Sequence, residues 1–271
     1  MAMLINGQPG EQISALDRGL AYGDGIYRTI EIRHGQPRLW AWQYRRLAAD
    51  ASRLRLPVPD AALLLDEIGQ LADGVAQGVA KVVLTRGVGA RGYAMPADCQ
   101  PTRMVSVSAW AGYPPERARD GVNVRWCDTR LSCQPLLAGI KHLNRLENVL
   151  ARSEWSDPDM HEGLLLDQRG LLIEATMSNV YLVQGQRILT PRLDQSGVQG
   201  MLRDWLFAQA PQLGYQLEEA DFGPAQLWQA EQVFLSNSLI GLWPVATLAG
   251  QALPHGHPCC LQLQALLAQQ D

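Results

Sequence analysis

The sequence predicts an α+β protein of two domains. Three features point there. The first half alternates strand-like and helix-like segments, and the second half is dominated by strand pairs joined through tight turns. Between them lies a charged stretch with two prolines, Tyr113-Pro114-Pro115-Glu116-Arg117-Ala118-Arg119-Asp120-Gly121, of the kind that separates domains. The expected organisation is a small N-terminal α/β domain over 1–113, a linker over 114–120 and a larger C-terminal α+β domain over 121–271. With 271 residues, each domain can bury a core of its own.

Taken in order, MLIN (3–6) and GIYRTIEIR (25–33) read as strands, the second closing at the turn His34-Gly35-Gln36-Pro37. Trp40, Tyr44, Leu47, Ala51 and Leu54 recur at spacings of 4, 3, 4 and 3, one buried stripe of a helix that stops before Pro57. A second helix is expected over 60–73, then strands at AKVVLTRG (80–87) and RMVSVSAW (103–110) flanking a glycine-rich loop. Beyond the linker come a strand at 122–126, a loop into Lys141 and a helix over 143–155. Hairpin-like pairs follow around Asp167-Gln168-Arg169-Gly170 and around Gly185. A helix over 199–210, strands near 215–220 and 231–236, and a final helix after Pro258 complete the reading.

Composition excludes several classes of function. Apolar residues make up 47% and charged ones 18%, the balance of a globular chain, and no apolar run reaches the ~18 residues of a membrane span. The N-terminus meets a Gly-Gln-Pro turn before a signal-peptide core could form, so a cytoplasmic protein is expected. Net charge is −4, from 23 basic and 27 acidic residues, with no basic block to track a phosphate backbone, which argues against nucleic acid. Cys99, Cys127, Cys133, Cys259 and Cys260 contain no C-x-x-C pair, so neither a disulfide framework nor a zinc knuckle is indicated. Of the 23 basic residues 21 are Arg; a lysine-dependent mechanism has only Lys81 and Lys141 to draw on.

Lys141 lies in AGIKHLNRLEN, beside apolar residues. An apolar site disfavours the ammonium and would make the amine a nucleophile suited to a Schiff base. By its local sequence alone it reads more simply as a solvated lysine at a helix start. Glu174 ends a run of three apolar strand residues and precedes Ala175-Thr176-Met177-Ser178-Asn179; it could hold a proton on a partner base, or merely end a strand at a turn. Ser196-Gly197-Val198-Gln199-Gly200 brings glycines to a helix start, where free N–H groups bind phosphate, although an ordinary entry turn has the same composition. Arg46 sits about 80° from the apolar stripe of its helix and could clamp an anion or lie along the surface as a solvated flank. Arg91 and Tyr93, in the Gly87–Gly92 loop region, are candidate ligands for a carboxylate; the loop lacks the Lys-Ser/Thr and following helix of a nucleotide cradle. The His255-Gly256-His257-Pro258-Cys259-Cys260 segment has metal-compatible atoms but no second ligand cluster at zinc spacing, so no metal is expected.

Together, GDGIYRTIE, YRRL, TRGVGARGY, AGIKHLNRLENVLAR, IEATMSNVY, TPRLDQSGVQGMLR and FLSNSLIG resemble, across nearly the whole chain, the fold type IV family of pyridoxal-phosphate enzymes. That family holds branched-chain and D-amino acid aminotransferases and aminodeoxychorismate lyases. The lysine and TPRLDQSGVQGMLR stretches are most similar to the lyase branch, which eliminates pyruvate from 4-amino-4-deoxychorismate to leave 4-aminobenzoate for folate synthesis. The resemblance implies a barrel-like C-terminal domain, a homodimer and pyridoxal 5′-phosphate as cofactor. It further implies that Lys141 joins the cofactor covalently and acts as the base, and that Glu174 pairs with the pyridine nitrogen. Arg46 would bind the phosphate, with Ser178, Asn179, Val198, Gln199, Ser236 and Asn237 completing the cup. Thr29 is implied at the reacting carbon, and Arg91 and Tyr93 at a substrate with two carboxylates. An aminotransferase of the same fold is the competing expectation.

Overall fold

The structure, a computed structural model, describes residues 2–270 and divides into two compact units. The first comprises the chain through Gly112 together with Ile140–Asn144; the second comprises Tyr113–Gly139 and Arg145–Gln270.

The first unit is a six-stranded sheet in the order β2-β1-β6-β5-β3-β4, built from β1 (Ala2–Ile5), β2 (Gln8–Pro9), β3 (Gly25–Arg33), β4 (Gln36–Pro37), β5 (Gln77–Thr85) and β6 (Thr102–Ala109). Every pairing in it is antiparallel, so the helices α1 (Arg18–Tyr22), α2 (Trp40–Arg53) and α3 (Ala61–Ala72) are not crossovers between parallel neighbours. The stripe read from the sequence is the one α2 buries: Leu47 and Ala51 enter the core with Ile30 and Ile32 of β3, while Trp40, Tyr44 and Leu54 pack at its margin. Asp60 starts α3 by accepting from Ala62 N at 2.8 Å and Leu63 N at 3.3 Å, a side-chain cap on otherwise unpaired amides.

β4 pairs only with Ile32 and Arg33 of β3. The opposite end of that strand edge takes up the lysine segment instead: Tyr27 N donates to Lys141 O at 3.1 Å, and Leu143 N to Gly25 O at 3.0 Å. Ile140 is fully buried in the same core. A Cβ at Gly25 would stand 2.5 Å from Leu84 O and 2.8 Å from Leu143 Cδ1, so only glycine allows this approach. Two expectations are corrected here. Lys141 was assigned to the C-terminal domain but its segment belongs to the first unit, and the helix expected over 143–155 forms only as α5 (Leu146–Arg152), because residues 141–143 spend their backbone groups on β3.

The expected linker 114–120 is also not a free connector. It contains α4 (Glu116–Asp120) within the second unit. Arg117 sits 5.4 Å from the ring centres of both Tyr113 and Trp243, and Tyr113 meets Trp243 edge-on at 4.9 Å. The two prolines open a docked helix, a position proline tolerates, rather than holding a linker extended.

The second unit carries β7 (Val122–Leu131), β8 (Glu162–Asp167), β9 (Leu172–Ala175), β10 (Asn179–Gln184), β11 (Arg187–Pro191), β12 (Gln216–Ala220), β13 (Gln232–Asn237), β14 (Gly241–Leu248) and β15 (Gln251–Ala252), with α6 (Met201–Gln209), α7 (Pro224–Leu227) and α8 (Pro258–Ala268). The strand order is β12-β11-β10-β13-β14-β7-β8-β9, with β15 beside β14. β9 and β10 are five positions apart in that order, about 24 Å in a flat sheet, yet residues 176–178 alone join them, a reach of about 14 Å. The sheet therefore curls back on itself, and Ala175 N closes the turn on Ser178 O at 2.8 Å. This is the half-barrel implied by the resemblance. β14 has no counterpart in the sequence reading: Pro244 lies inside it, and proline usually marks an edge or a bulge. Here Pro244 lies opposite Phe234 of β13 and just before the ladder to β7, which begins at Val245, so β7 asks no N–H of it.

Buried Asp17 ties α1 to the adjoining ends of β5 and β6, accepting from Gly19 N (2.7 Å), Thr85 Oγ1 (3.0 Å) and Thr102 Oγ1 (2.6 Å). Asp17→Ala would leave two buried hydroxyls without this acceptor and is expected to cost about 2 kcal/mol or more, read as an earlier transition in urea denaturation. An unchanged midpoint would show the hydroxyls re-partnering without cost.

Candidate active site

In the first unit the site is built on β3 and α2. Tyr27 and Thr29 lie two residues apart on one face of β3, and Lys141 Nζ stands 4.4 Å from the Tyr27 ring centre. Lys81, opposite Thr29 in the ladder, has its amine 5.6 Å from the same ring but is exposed. Lys141 is half-buried, its carbonyl held by Tyr27 N and its amide donating to Asp50 Oδ2 at 3.1 Å. Asp50, wholly buried, also accepts from Arg46 Nε (3.2 Å) and Nη2 (2.9 Å) on Oδ1, and from Arg28 Nη2 on Oδ2. Arg46 is only 8% exposed, so it is not a solvated flank. Two guanidiniums thus meet one carboxylate beside the lysine backbone, and guanidiniums are the groups that bind oxygen-rich anions.

Arg91 and Tyr93 lie on the exposed loop after β5, and Tyr93 is 87% exposed. The loop is held through its backbone and one ring contact. Arg18 Nη1 donates to Gly92 O at 2.9 Å, Gly92 N donates to Tyr22 Oη at 3.1 Å, and the Tyr22 and Tyr93 rings are 5.3 Å apart.

In the second unit Glu174 on β9 is buried. Its Oε2 accepts from Val198 N at 2.6 Å and its Oε1 from Asn148 Nδ2 at 3.4 Å. Asn179 closes the 198–200 turn from both sides, donating to Val198 O (2.8 Å) and accepting from Gly200 N (3.0 Å). A Cβ on Gly200 would stand 2.4 Å from Asn179 Oδ1, so a side chain there would displace the amide that closes the turn. Gln199 N donates to Gly139 O, and Gln199 Nε2 donates to Asp204. Ser178 Oγ and Met177 N donate to Glu162 Oε2 (2.8 and 3.0 Å), and Thr176 Oγ1 donates to Oε1. Ser236 Oγ pairs with Tyr181 Oη at 3.0 Å. Asn237 donates to Met177 O and accepts from Leu239 N and Ile240 N. The side chains of Ser178, Asn179 and Asn237 thus brace turns; short polar side chains beside a turn readily find backbone partners.

The donor set fits pyridoxal phosphate. Ser196 Oγ is buried with no hydrogen-bond partner among the described residues, in the turn leading to α6, whose N-cap Gly200 supplies no side chain. A helix start of this kind receives an oxygen-rich anion. Glu174, in the same unit, is a buried acceptor of the type a protonated ring nitrogen needs; taken by itself, the first unit offers the Lys141 amine.

Asp50, Tyr27, Asn148 and Glu162 were not singled out in the sequence. Asp50 follows Arg46 by four residues, a legible helical pairing. Asn148 lay inside the lysine motif, whereas nothing local distinguishes Glu162. His257 Nδ1 caps α8 by accepting from Cys259 N. Burial raises the Cys259 thiol to about 12, and among the described residues no group of three or more His, Cys, Asp or Glu could hold a metal.

The sequence profile of the family described as amino-transferase class IV matches residues 25–248. Aminodeoxychorismate lyase of Vibrio harveyi is 33% identical over 246 residues, covering 90% of this chain and 90% of that one. The crystal structure of 4-amino-4-deoxychorismate lyase from Pseudomonas aeruginosa matches with a TM-score of 0.93 at 42% identity over 98% of both chains. A hypothetical aminotransferase from Mycobacterium tuberculosis, in PLP-bound form, shares the fold with a TM-score of 0.84 at 22% identity, over 100% of this chain and 98% of that one.

Burial pushes the Glu162 carboxyl above its ordinary range, against four hydrogen bonds that pull it down. A carboxyl raised on folding contributes stability that is full below its unfolded pKa and lost as pH rises through the folded value. Thermal unfolding across the range just above ordinary carboxylate values should therefore show stability declining with pH more steeply in the wild type than in Glu162→Gln. Parallel curves would refute this.

Proposed function

We propose a lyase activity for this chain, which belongs to the amino-transferase class IV family: with pyridoxal phosphate it converts 4-amino-4-deoxychorismate to 4-aminobenzoate and pyruvate. The observation that carries this reading is the 42% identity to a lyase over 98% of both chains, in a chain whose half-buried lysine stands over Tyr27.

When bound, the cofactor supplies an electron sink conjugated to the substrate's amine-bearing carbon. Lys141 would hold it, and the Lys141 amine, when free, would remove the proton from C4 of the substrate. The C3–O bond breaks, the ring becomes aromatic, and the same nitrogen, now an ammonium, returns a proton to the departing enolpyruvate, which leaves as pyruvate. Glu174 keeps a proton on the pyridine nitrogen, and the amides of Asn148 and Val198 fix its oxygens. Arg46 pairs with the phosphate. Val198 and Gln199 line the cofactor, and Ser178, Asn179, Ser236 and Asn237 hold the turns around it. Thr29, on the Tyr27 face of β3, places a hydroxyl for the reacting carbon. Arg91 binds one of the substrate's two carboxylates, with Tyr93 beside it.

The enzyme acts as a homodimer. The reading is supported by α5, which exposes Leu146 (77%), Val149 (59%) and Leu150 (60%) at helical spacing, an apolar face that association would cover. It works in the cytoplasm, a compartment that suits five free cysteines.

Purified protein given 4-amino-4-deoxychorismate should release 4-aminobenzoate. Rapid amino transfer from D-alanine to 2-oxoglutarate without 4-aminobenzoate would instead make it an aminotransferase. Lys141→Ala should lose both product and the borohydride-fixed adduct seen by mass spectrometry. Thr29→Val should lower kcat by about 100-fold while leaving cofactor absorbance intact; an unchanged kcat removes Thr29 from the chemistry.

A further inference from the structure

We propose that Asp50 is a positioning residue that aims Arg46 at the cofactor phosphate, with Arg28 as its counter-cation. This rests on the reading of Arg46 as the phosphate ligand and assigns the device that makes it one. An arginine side chain has many rotamers, and ordering it costs free energy. Here Asp50 Oδ1 takes both Nε and Nη2, at 3.2 and 2.9 Å, which fixes one edge of the planar guanidinium and so orients the opposite edge. Its second oxygen takes the Lys141 amide at 3.1 Å. One wholly buried carboxylate thus sets both the arginine and the backbone of the lysine.

A carboxylate beside a phosphate-binding arginine would ordinarily offset the charge the phosphate needs. Arg28, buried on β3 and paired with the same Asp50, removes that conflict. Asp50 is thus shared between two guanidiniums, so its charge is not spent on Arg46 alone. Asp50→Asn keeps a side-chain oxygen for the Lys141 amide but gives up the carboxylate that holds the Arg46 guanidinium, so its loss falls on the phosphate end of the cofactor, whereas a residue that merely holds α2 in place would affect every ligand alike.

The test is titration of the full-length chain, stripped of cofactor, with pyridoxal phosphate and separately with pyridoxal, which lacks the phosphate; circular dichroism establishes folding. Asp50→Asn should weaken pyridoxal phosphate about 10-fold or more and leave pyridoxal essentially unchanged. In an Arg46→Gln background Asp50→Asn should add no further phosphate-specific loss. Equal weakening of both ligands, or of neither, overturns the proposal while leaving Arg46 as phosphate ligand. If Arg46→Gln itself fails to discriminate between the two ligands, the role of Arg46 falls and this proposal falls with it. Should Asp50→Asn not fold, Arg28→Gln keeps the Arg46–Asp50 pair and removes one positive charge beside it. It is expected to weaken pyridoxal phosphate alone, and equal effects on both ligands overturn the proposal.

Discussion

Two backbone hydrogen bonds decide where the amine of Lys141 stands: Tyr27 N to Lys141 O, and Leu143 N to Gly25 O. They exist because β4 is short and leaves the start of β3 uncovered, and because Gly25 has no side chain to keep Leu143 away. With Ile140 anchored in the core, strand alternation turns the next side chain to the other side, over the Tyr27 ring. A one-residue slip would bury the amine and expose the isoleucine, so the register is strongly specified.

The second unit reaches a comparable rigidity with polar groups. The turn at 176–178 must bridge the curled sheet, and Glu162 holds it through two hydroxyls and an amide. Asn179 does the same for the 198–200 turn, which in turn gives Glu174 its amide partner. Such a buried network is stable only when nearly every member is paired. Ser196 is an exception, with an orphaned hydroxyl, and it lies where the fold leads into an uncapped helix. The side chains of Ser178, Asn179 and Asn237 fix the backbone of these turns.

The residues with distinctive chemistry were legible only as candidates. Scarcity of lysine left Lys141 and Lys81 to choose from, while Arg46 on its helix face and Glu174 closing an apolar strand each kept an ordinary structural reading beside the functional one. The resemblance joined them to one cofactor, and the relatives agree with it. Their supports were less legible. Asp50 looked like one more acid on a helix, and Glu162 like the polar start of an apolar strand. β14 was hidden by Pro244, which is tolerated because it stands just before the ladder to β7 begins, a pairing with a strand more than a hundred residues earlier.

The sequence by itself determined what local periodicity and residue chemistry can encode: the extent of β3, the buried stripe of α2, the hairpins, and the lysine available as nucleophile. Tertiary structure decided the allegiance of the lysine segment, the docking of α4 and the burial of Arg46 between Asp50 and its surroundings. The reason is that hydrogen bonds and ion pairs between distant segments depend on which edges and faces remain uncovered once the sheet has formed. No window of neighbouring residues contains that information.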